Sequence, residues 1–134
     1  MKINVFDGSI SFARGTVLRA EDRETFLGTD LGRNSTQKLV NKEWWHVGIR
    51  PEPGVAATLI FRGNRLDSIK LLFEIPEDKS GEWTVELEQS RKAMHDRWLR
   101  AELGMPPYTY GWGIIASEFD AKAVVSEIMV MYEH

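Results

Sequence analysis

The side chains that could do chemistry in this sequence are few and scattered. Its three histidines are His46, His95 and His134. None has a second histidine three or four positions away, so the helical spacing that holds a metal between two imidazoles is missing. His95 and Asp96 are adjacent and leave a helix in different directions, so His95 reads as a surface or boundary histidine. Two carboxylate pairs, Glu86 with Glu88 and Glu118 with Asp120, have a spacing of two. In an extended strand Glu118 and Asp120 share a face, about 6.6–7 Å apart along the backbone. That separation suits acid–base chemistry or a hard cation. Asp120 also opens a turn, where aspartate is favoured for its own hydrogen bonding, and this plainer reading is preferred.

Cysteine is absent from the 134 residues, which removes disulfides, thiolate catalysis, cysteine zinc sites and iron–sulfur clusters together. No Gly-x-Ser-x-Gly elbow occurs. Gly111-Trp112-Gly113 has the look of a phosphate loop but lacks the further glycine, the lysine and the following helix that bind an anion. Its glycines read instead as room for a large side chain or a helix against a sheet. No catalytic residue, metal site or cofactor is expected, and a non-enzymatic role follows.

The aromatic spacing is more specific. Tyr108, Tyr110 and Trp112 alternate along a strand-like run and project to one side, with Ile114 continuing that side. Gly111, Gly113, Ile115, Ser117 and Phe119 project to the other. Large, rigid, amphipathic side chains of this kind anchor protein partners well. Two outcomes are open: the aromatic row forms a second small core under the N-terminal segment, or it stays exposed as a binding surface. Trp44-Trp45 carries the same ambiguity, since neighbours in a strand face opposite ways.

Charge is unevenly placed. Lysine and arginine total 17, aspartate and glutamate 20, for a net −3. Residues 1–43 carry 7 basic and 6 acidic groups and residues 44–81 carry 5 of each, whereas residues 82–134 carry 5 basic and 9 acidic. No basic stripe is available to displace counterions from nucleic acid, and any attraction from the last third favours a basic partner. The segment Met1-Lys2-Ile3-Asn4-Val5-Phe6-Asp7 has no apolar h-region or cleavage site. No apolar run nears the roughly 20 residues of a membrane span. Cytoplasmic residence is the expectation.

The elements that must position these residues follow from periodicity. Ile3–Phe6 and Ile10–Leu18 read as strands around the turn dipeptide Asp7-Gly8. Ala20–Leu27 reads as a short helix punctuated by Gly28 and Gly32, and residues 33–43 as a polar loop. Trp44–Arg50 is a strand stopped by Pro51-Glu52-Pro53-Gly54. Ala56–Arg62 and Leu66–Ile75 are strands around Gly63-Asn64, with Ile69, Leu71 and Phe73 on one dry face. Trp83, Leu87, Ser90, Met94, Trp98 and Ala101 recur at helical spacing, predicting one long helix over Trp83–Leu103 with a stop at Gly104-Met105-Pro106-Pro107. Tyr108–Phe119 and Val124–Tyr132 close the chain as strands. The expected architecture is a single α+β domain over residues 1–134. One mostly antiparallel meander carries the long helix on one face, and a short helix lies near the N-terminus.

The order of features carries a resemblance: Trp83, Glu86 and Glu88, Arg91, His95, Trp98-Leu99, Leu103-Gly104, then Tyr110-Gly111-Trp112-Gly113, Ser117, Phe119-Asp120, Lys122, Ser126 and Tyr132. Residues from about Trp44 to Tyr132 resemble, in layout, the small bacterial immunity proteins of contact-dependent growth-inhibition and related polymorphic-toxin systems. The shared layout is a β meander, an amphipathic helix, a tryptophan–glycine strand and a closing hairpin. Those proteins share no catalytic motif, and no site residue is carried over from them. What the resemblance implies is an activity class: a cytoplasmic protein that binds a cognate toxin domain and blocks it. On that reading Tyr108, Tyr110 and Trp112 are the anchors. Glu118 and Asp120 supply complementarity to a basic toxin surface, and neither nucleic acid nor membrane is a partner. Two other readings compete. One is a small-molecule pocket between helix and sheet lined by His95, Tyr110 and Glu118. The other is a homodimer through the aromatic face, giving a monomer or weak dimer.

Overall fold

The computed structural model describes residues 1–75 and 84–133; Trp83, where the expected helical stripe begins, lies outside them. The N-terminal segment forms a small sheet of β1 (Lys2–Ile3), β2 (Ile10–Phe12) and β3 (Gly15–Val17). Asp7-Gly8 closes the first hairpin as expected, but Ala13-Arg14 breaks the run beginning at Ile10 into two strands. Two short helices follow, α1 (Arg23–Leu27) and α2 (Asp30–Arg33). Asp22 caps the first by accepting from Thr25 N at 2.7 Å, and Thr29 caps the second through Gly32 N, which satisfies amide groups with no helical partner.

The large sheet holds β4 (Thr36–Val40), β5 (Trp44–Glu52), β6 (Val55–Arg62), β7 (Arg65–Phe73), β8 (Tyr108–Tyr110), β9 (Gly113–Asp120) and β10 (Val125–Tyr132). Its order is β4-β5-β6-β7-β10-β9-β8, antiparallel throughout. The helix α3 (Val85–Leu103) carries the chain from β7 to the far edge, and β10 returns to pair with β7. The fold is therefore α+β as the sequence predicts. It has two sheets among the described residues rather than one, and residues 36–40, expected in a loop, form an edge strand.

One face of the large sheet is the core. Val47, Leu59, Ile69, Val130 and Ile115 are aligned across five strands and all buried, each apolar side chain contributing about 1.5–3 kcal/mol by leaving water. Phe26 of α1 meets Phe61, and the Arg23 guanidinium lies 4.1 Å over the Trp45 ring. Trp98 of α3 meets Phe73 edge-on at 5.4 Å. The N-terminal elements and α3 thus sit side by side on this one face.

The buried side of α3 differs from the predicted stripe. Leu99, which widens the stripe together with Leu103, is buried as expected, but Ser90 and Ala101 are exposed, while Glu88 and His95 are buried. The reason lies where β7 and β10 part. Leu71 pairs with Ile128, and the same register would set Phe73 opposite Ser126, but no rung forms there. Instead Phe73 N donates to His95 Nε2 at 3.0 Å and Phe73 O accepts from Arg91 Nε at 2.8 Å. Ser126 N donates to Glu88 Oε1 at 2.9 Å, and Ser126 Oγ to Glu88 O at 2.6 Å. Three polar helix residues thereby satisfy backbone groups that the sheet leaves open, which buried amides require. Arg91 also pairs with Glu88, so the buried carboxylate is not left alone.

Candidate interaction face

The aromatic row does not lie on one strand. The chain turns at Gly111-Trp112, a two-residue connection that sets Tyr110 opposite Gly113. Trp112 is 3% exposed, its ring stacked on Tyr110 with centroids 5.1 Å apart and planes 7° apart. Its indole N–H donates to Val5 O at 2.9 Å. Gly8, at φ 76°, lies so close that a Cβ there would stand 2.6 Å from the indole. Tyr132 closes the same contact from below, its hydroxyl donating to Gly8 O at 2.8 Å. Tyr108 is buried as well, its hydroxyl donating to Gly104 O. The N-terminal hairpin covers Trp112, and Tyr108 is buried beside the end of α3, so both are core residues rather than exposed anchors. Tyr110 is half-buried beside them, and burial, with Tyr108 adding, pushes its phenol above the usual range. The glycines also serve otherwise than expected. A Cβ at Gly113 would stand 2.0 Å from Met131 O of the neighbouring strand, while Gly111 faces open space; neither makes room for a helix.

Glu118 and Asp120 remain exposed. Asp120 ends β9, and its Oδ1 accepts from Lys122 N at 2.9 Å and Ala123 N at 3.2 Å, the turn role expected of it. Glu118 has a neighbour that sequence spacing does not reveal: the β9–β10 register sets it directly opposite Glu127. Burial pushes the Glu127 carboxyl above its ordinary value; Lys70 opposes the shift, and Glu118, Asp120 and Glu88 add to it. The Lys70 ammonium is 3.9 Å from the Glu127 carboxylate, at the outer limit of an ion pair. Glu127 is the site residue that sequence reasoning missed. The signal for it was the hairpin closing around Asp120–Val124, which fixes the partner of each β9 residue.

Both glutamates belong to the sheet face turned away from α3. Strand alternation puts Lys38, His46, Ile60, Ser68, Met131 and Ile114 in one row across that face, and Thr58, Lys70, Met129 and Ala116 in the next. Among the described residues, the packing contacts of α1, α3 and the N-terminal hairpin fall on the opposite face. The open face carries apolar side chains on β10 and β9, with Met129 and Met131 half-buried and Ile114 41% exposed, while β7 presents Ser68 and Lys70. Lys38 lies toward the β4 end and Glu118, Asp120 and Glu127 toward the β9–β10 end; Arg50, at the register shift of β5, is ion-paired with Glu74. Burial, then the charges of Lys70 and Lys38, hold His46 below its ordinary value, so it adds no charge at neutral pH.

The groups of the expected small-molecule pocket are not brought together. His95 lies on the core face under α3, Glu118 on the open face, and Tyr110 at the β8 edge. A cavity of about 480 Å³ between α3 and the β8–β9 hairpin is lined by Lys92, Asp96, Leu99, Tyr108 and Ile115 among others, but by none of those three. Burial, reinforced by Arg91, pushes His95 down to about 4. Since its Nε2 accepts from Phe73, its proton sits on Nδ1, which has no hydrogen-bond partner among the described residues. Among the described residues no three His, Cys, Asp or Glu side chains are placed to hold a metal ion, and no described helix is long and apolar enough to cross a membrane. Protein-family models, curated proteins and solved structures give no match to this chain.

Proposed function

We propose that the chain is a non-enzymatic binding protein, a bacterial cytoplasmic immunity protein that neutralises a toxin domain by direct contact. The acidic end of its open sheet face is the contact surface. The observation that carries this reading is the direct opposition of Glu118 and Glu127 across β9 and β10. Like charges opposite each other in a sheet cost the fold stability, and Lys70 compensates only weakly. A lysine or arginine from a partner, placed between the two carboxylates, removes that repulsion and gains charge-assisted hydrogen bonds. Asp120 extends the acidic area along the same strand. Many nucleic-acid-degrading toxins have basic clefts, and an acidic protein surface can occlude one by occupying the place of phosphate.

The partner's chemistry is thus a basic protein surface with an apolar rim that fits Met129, Met131 and Ile114. The test is co-expression with the toxin domain encoded in the adjacent gene. Growth is protected by the wild-type chain and not by Glu118→Lys/Glu127→Lys; equal growth arrest with and without the wild-type chain overturns the reading for that pair.

A further inference from the structure

β9 is eight residues long and β8, its outer neighbour, only three. Their ladder runs from Tyr110 opposite Gly113 to Tyr108 opposite Ile115 and stops there. Before Tyr108 the chain is Pro106-Pro107, which has no N–H to offer a ladder. Beyond Ile115 the outer edge of β9 therefore has no strand beside it among the described residues. In an antiparallel sheet the N–H and C=O of successive residues point to opposite neighbours. Glu133 N donates to Trp112 O at 2.8 Å, so Trp112, Ile114, Ala116 and Glu118 address β10. Ser126 N agrees: it stands opposite Phe119 but donates to Glu88. Gly113, Ile115, Ser117 and Phe119 address the outer side, and β8 takes up the first two. Two N–H and two C=O groups of Ser117 and Phe119 are left facing outward. None of them has a hydrogen-bond partner among the described residues.

The cavity of about 480 Å³ between α3 and the β8–β9 hairpin opens beside this edge. Pro107 and Ser117 line it where β8 stops, and the buried side chains of Leu99, Tyr108 and Ile115 form its apolar side. A row of unpaired main-chain donors and acceptors is complementary to another extended main chain. We propose that this edge and cavity are a peptide-binding site. An extended segment of a partner protein, with a lysine or arginine between two apolar residues, adds to β9 as an antiparallel strand in the line of β8.

Strand alternation sets the chemistry of that segment. Its residue opposite Ser117 projects to the α3 side, into the cavity, and its residue opposite Phe119 projects to the same side beside that half-buried ring. Lys92 and Arg100 line the cavity, and Lys92 already pairs with Asp96 at 2.9 Å, so this side takes apolar residues and no further cation. The residue between them stands opposite Glu118 on the open face. Glu118 has Glu127 directly on its other side, so a cation there is favoured and a carboxylate is not. The same charge rejects a second copy. Pairing β9 with its own likeness, Ser117 opposite Phe119, sets the two Glu118 carboxylates against each other with a Glu127 behind each. The inference does not rest on the toxin reading: it needs an extended basic segment, whatever protein carries it.

The test is selection of a random linear peptide library, displayed on phage, against the immobilised full chain, followed by fluorescence anisotropy with the enriched peptide made synthetically. Enriched peptides carry lysine or arginine flanked on both sides by apolar residues. N-methylation of either flanking residue, whose N–H pairs with β9, weakens binding roughly tenfold or more. N-methylation of the basic residue, whose N–H points away, leaves binding nearly unchanged. Ser117→Pro removes one outward N–H while sparing the β10 ladder, and it weakens binding roughly tenfold or more with an unchanged circular dichroism spectrum. Glu118→Lys reselects an acidic residue at the central position. No enrichment over bare support overturns the inference, as does equal sensitivity to N-methylation at all three residues, or a folded Ser117→Pro that binds like wild type. If Ser117→Pro does not fold, the N-methylated peptides on the wild-type chain decide. A dimer in sedimentation velocity that Ser117→Pro abolishes makes the occupant a second copy and overturns the partner named here. Toxin protection without peptide binding removes this inference alone, and peptide binding without protection removes the toxin reading alone.

Discussion

Glu118 and Glu127 face each other directly across the β9–β10 hairpin, on the face of the sheet turned away from α3. Two carboxylates in that position oppose folding, and the cheapest local repair is the loss of one charge. Glu118→Gln is therefore expected to stabilise the isolated chain by about 0.2–1 kcal/mol, read as a higher urea midpoint with an unchanged slope. The same substitution weakens binding to a basic partner. A variant that is less stable than wild type would show that the pair does not repel.

His95 links stability to pH. Its folded-state value is pushed down to about 4 against about 6.5 in the unfolded chain. The unfolded state therefore takes up the proton first, and stability falls as pH drops from about 6.5 through about 4. The loss attributable to this one group is roughly 2–4 kcal/mol across that window. His95→Gln keeps an acceptor for Phe73 N and cannot titrate. Urea unfolding at neutral pH and near pH 4.5 should show a smaller drop for His95→Gln than for wild type. Equal drops would place the acid sensitivity elsewhere.

Gly8 is held at φ 76° against the face of Trp112. Gly8→Ala puts a methyl group into the indole and a Cβ on a left-handed backbone, with an expected cost of about 2–4 kcal/mol. Tryptophan fluorescence reports the uncovering of Trp112 together with the lower midpoint. Retention of the wild-type spectrum and midpoint would mean the hairpin does not seal the aromatic row.

Val124, in the turn between β9 and β10, has φ 51°, a conformation that a β-branched side chain adopts only under strain. Val124→Asn is expected to raise stability by about 0.5–1 kcal/mol, since asparagine tolerates the left-handed region. Thermal unfolding checks this; a lower midpoint would show that the half-buried valine side chain contributes more than its backbone costs.

Much of this fold is legible in the sequence because its largest elements obey simple periods. β5, β6 and β7 alternate, Gly63-Asn64 closes their hairpin, and Ile69, Leu71 and Phe73 fall on the dry face as predicted. β4 was illegible because an edge strand paired on one side only has little to bury: Thr36–Lys38 are polar and Leu39 is exposed. β8 and β9 look like one strand because Tyr110-Gly111-Trp112-Gly113 satisfies a period of two while its glycines permit a turn. The face of α3 was misplaced for a chemical reason: Glu88 and His95 face inward to satisfy Ser126 and Phe73, and apolar periodicity cannot report a buried polar residue. The acidic site was half legible. Glu118 and Asp120 stand out by spacing along the chain, but the closer partner, Glu127, is adjacent only through strand register.

Growth protection by Glu118→Lys/Glu127→Lys, measured against a toxin domain that the wild-type chain neutralises, addresses the proposed claim that the acidic end of the open face does the binding. Protection is expected to disappear while circular dichroism shows that the double variant keeps the wild-type fold. Full protection by the folded double variant would contradict the claim.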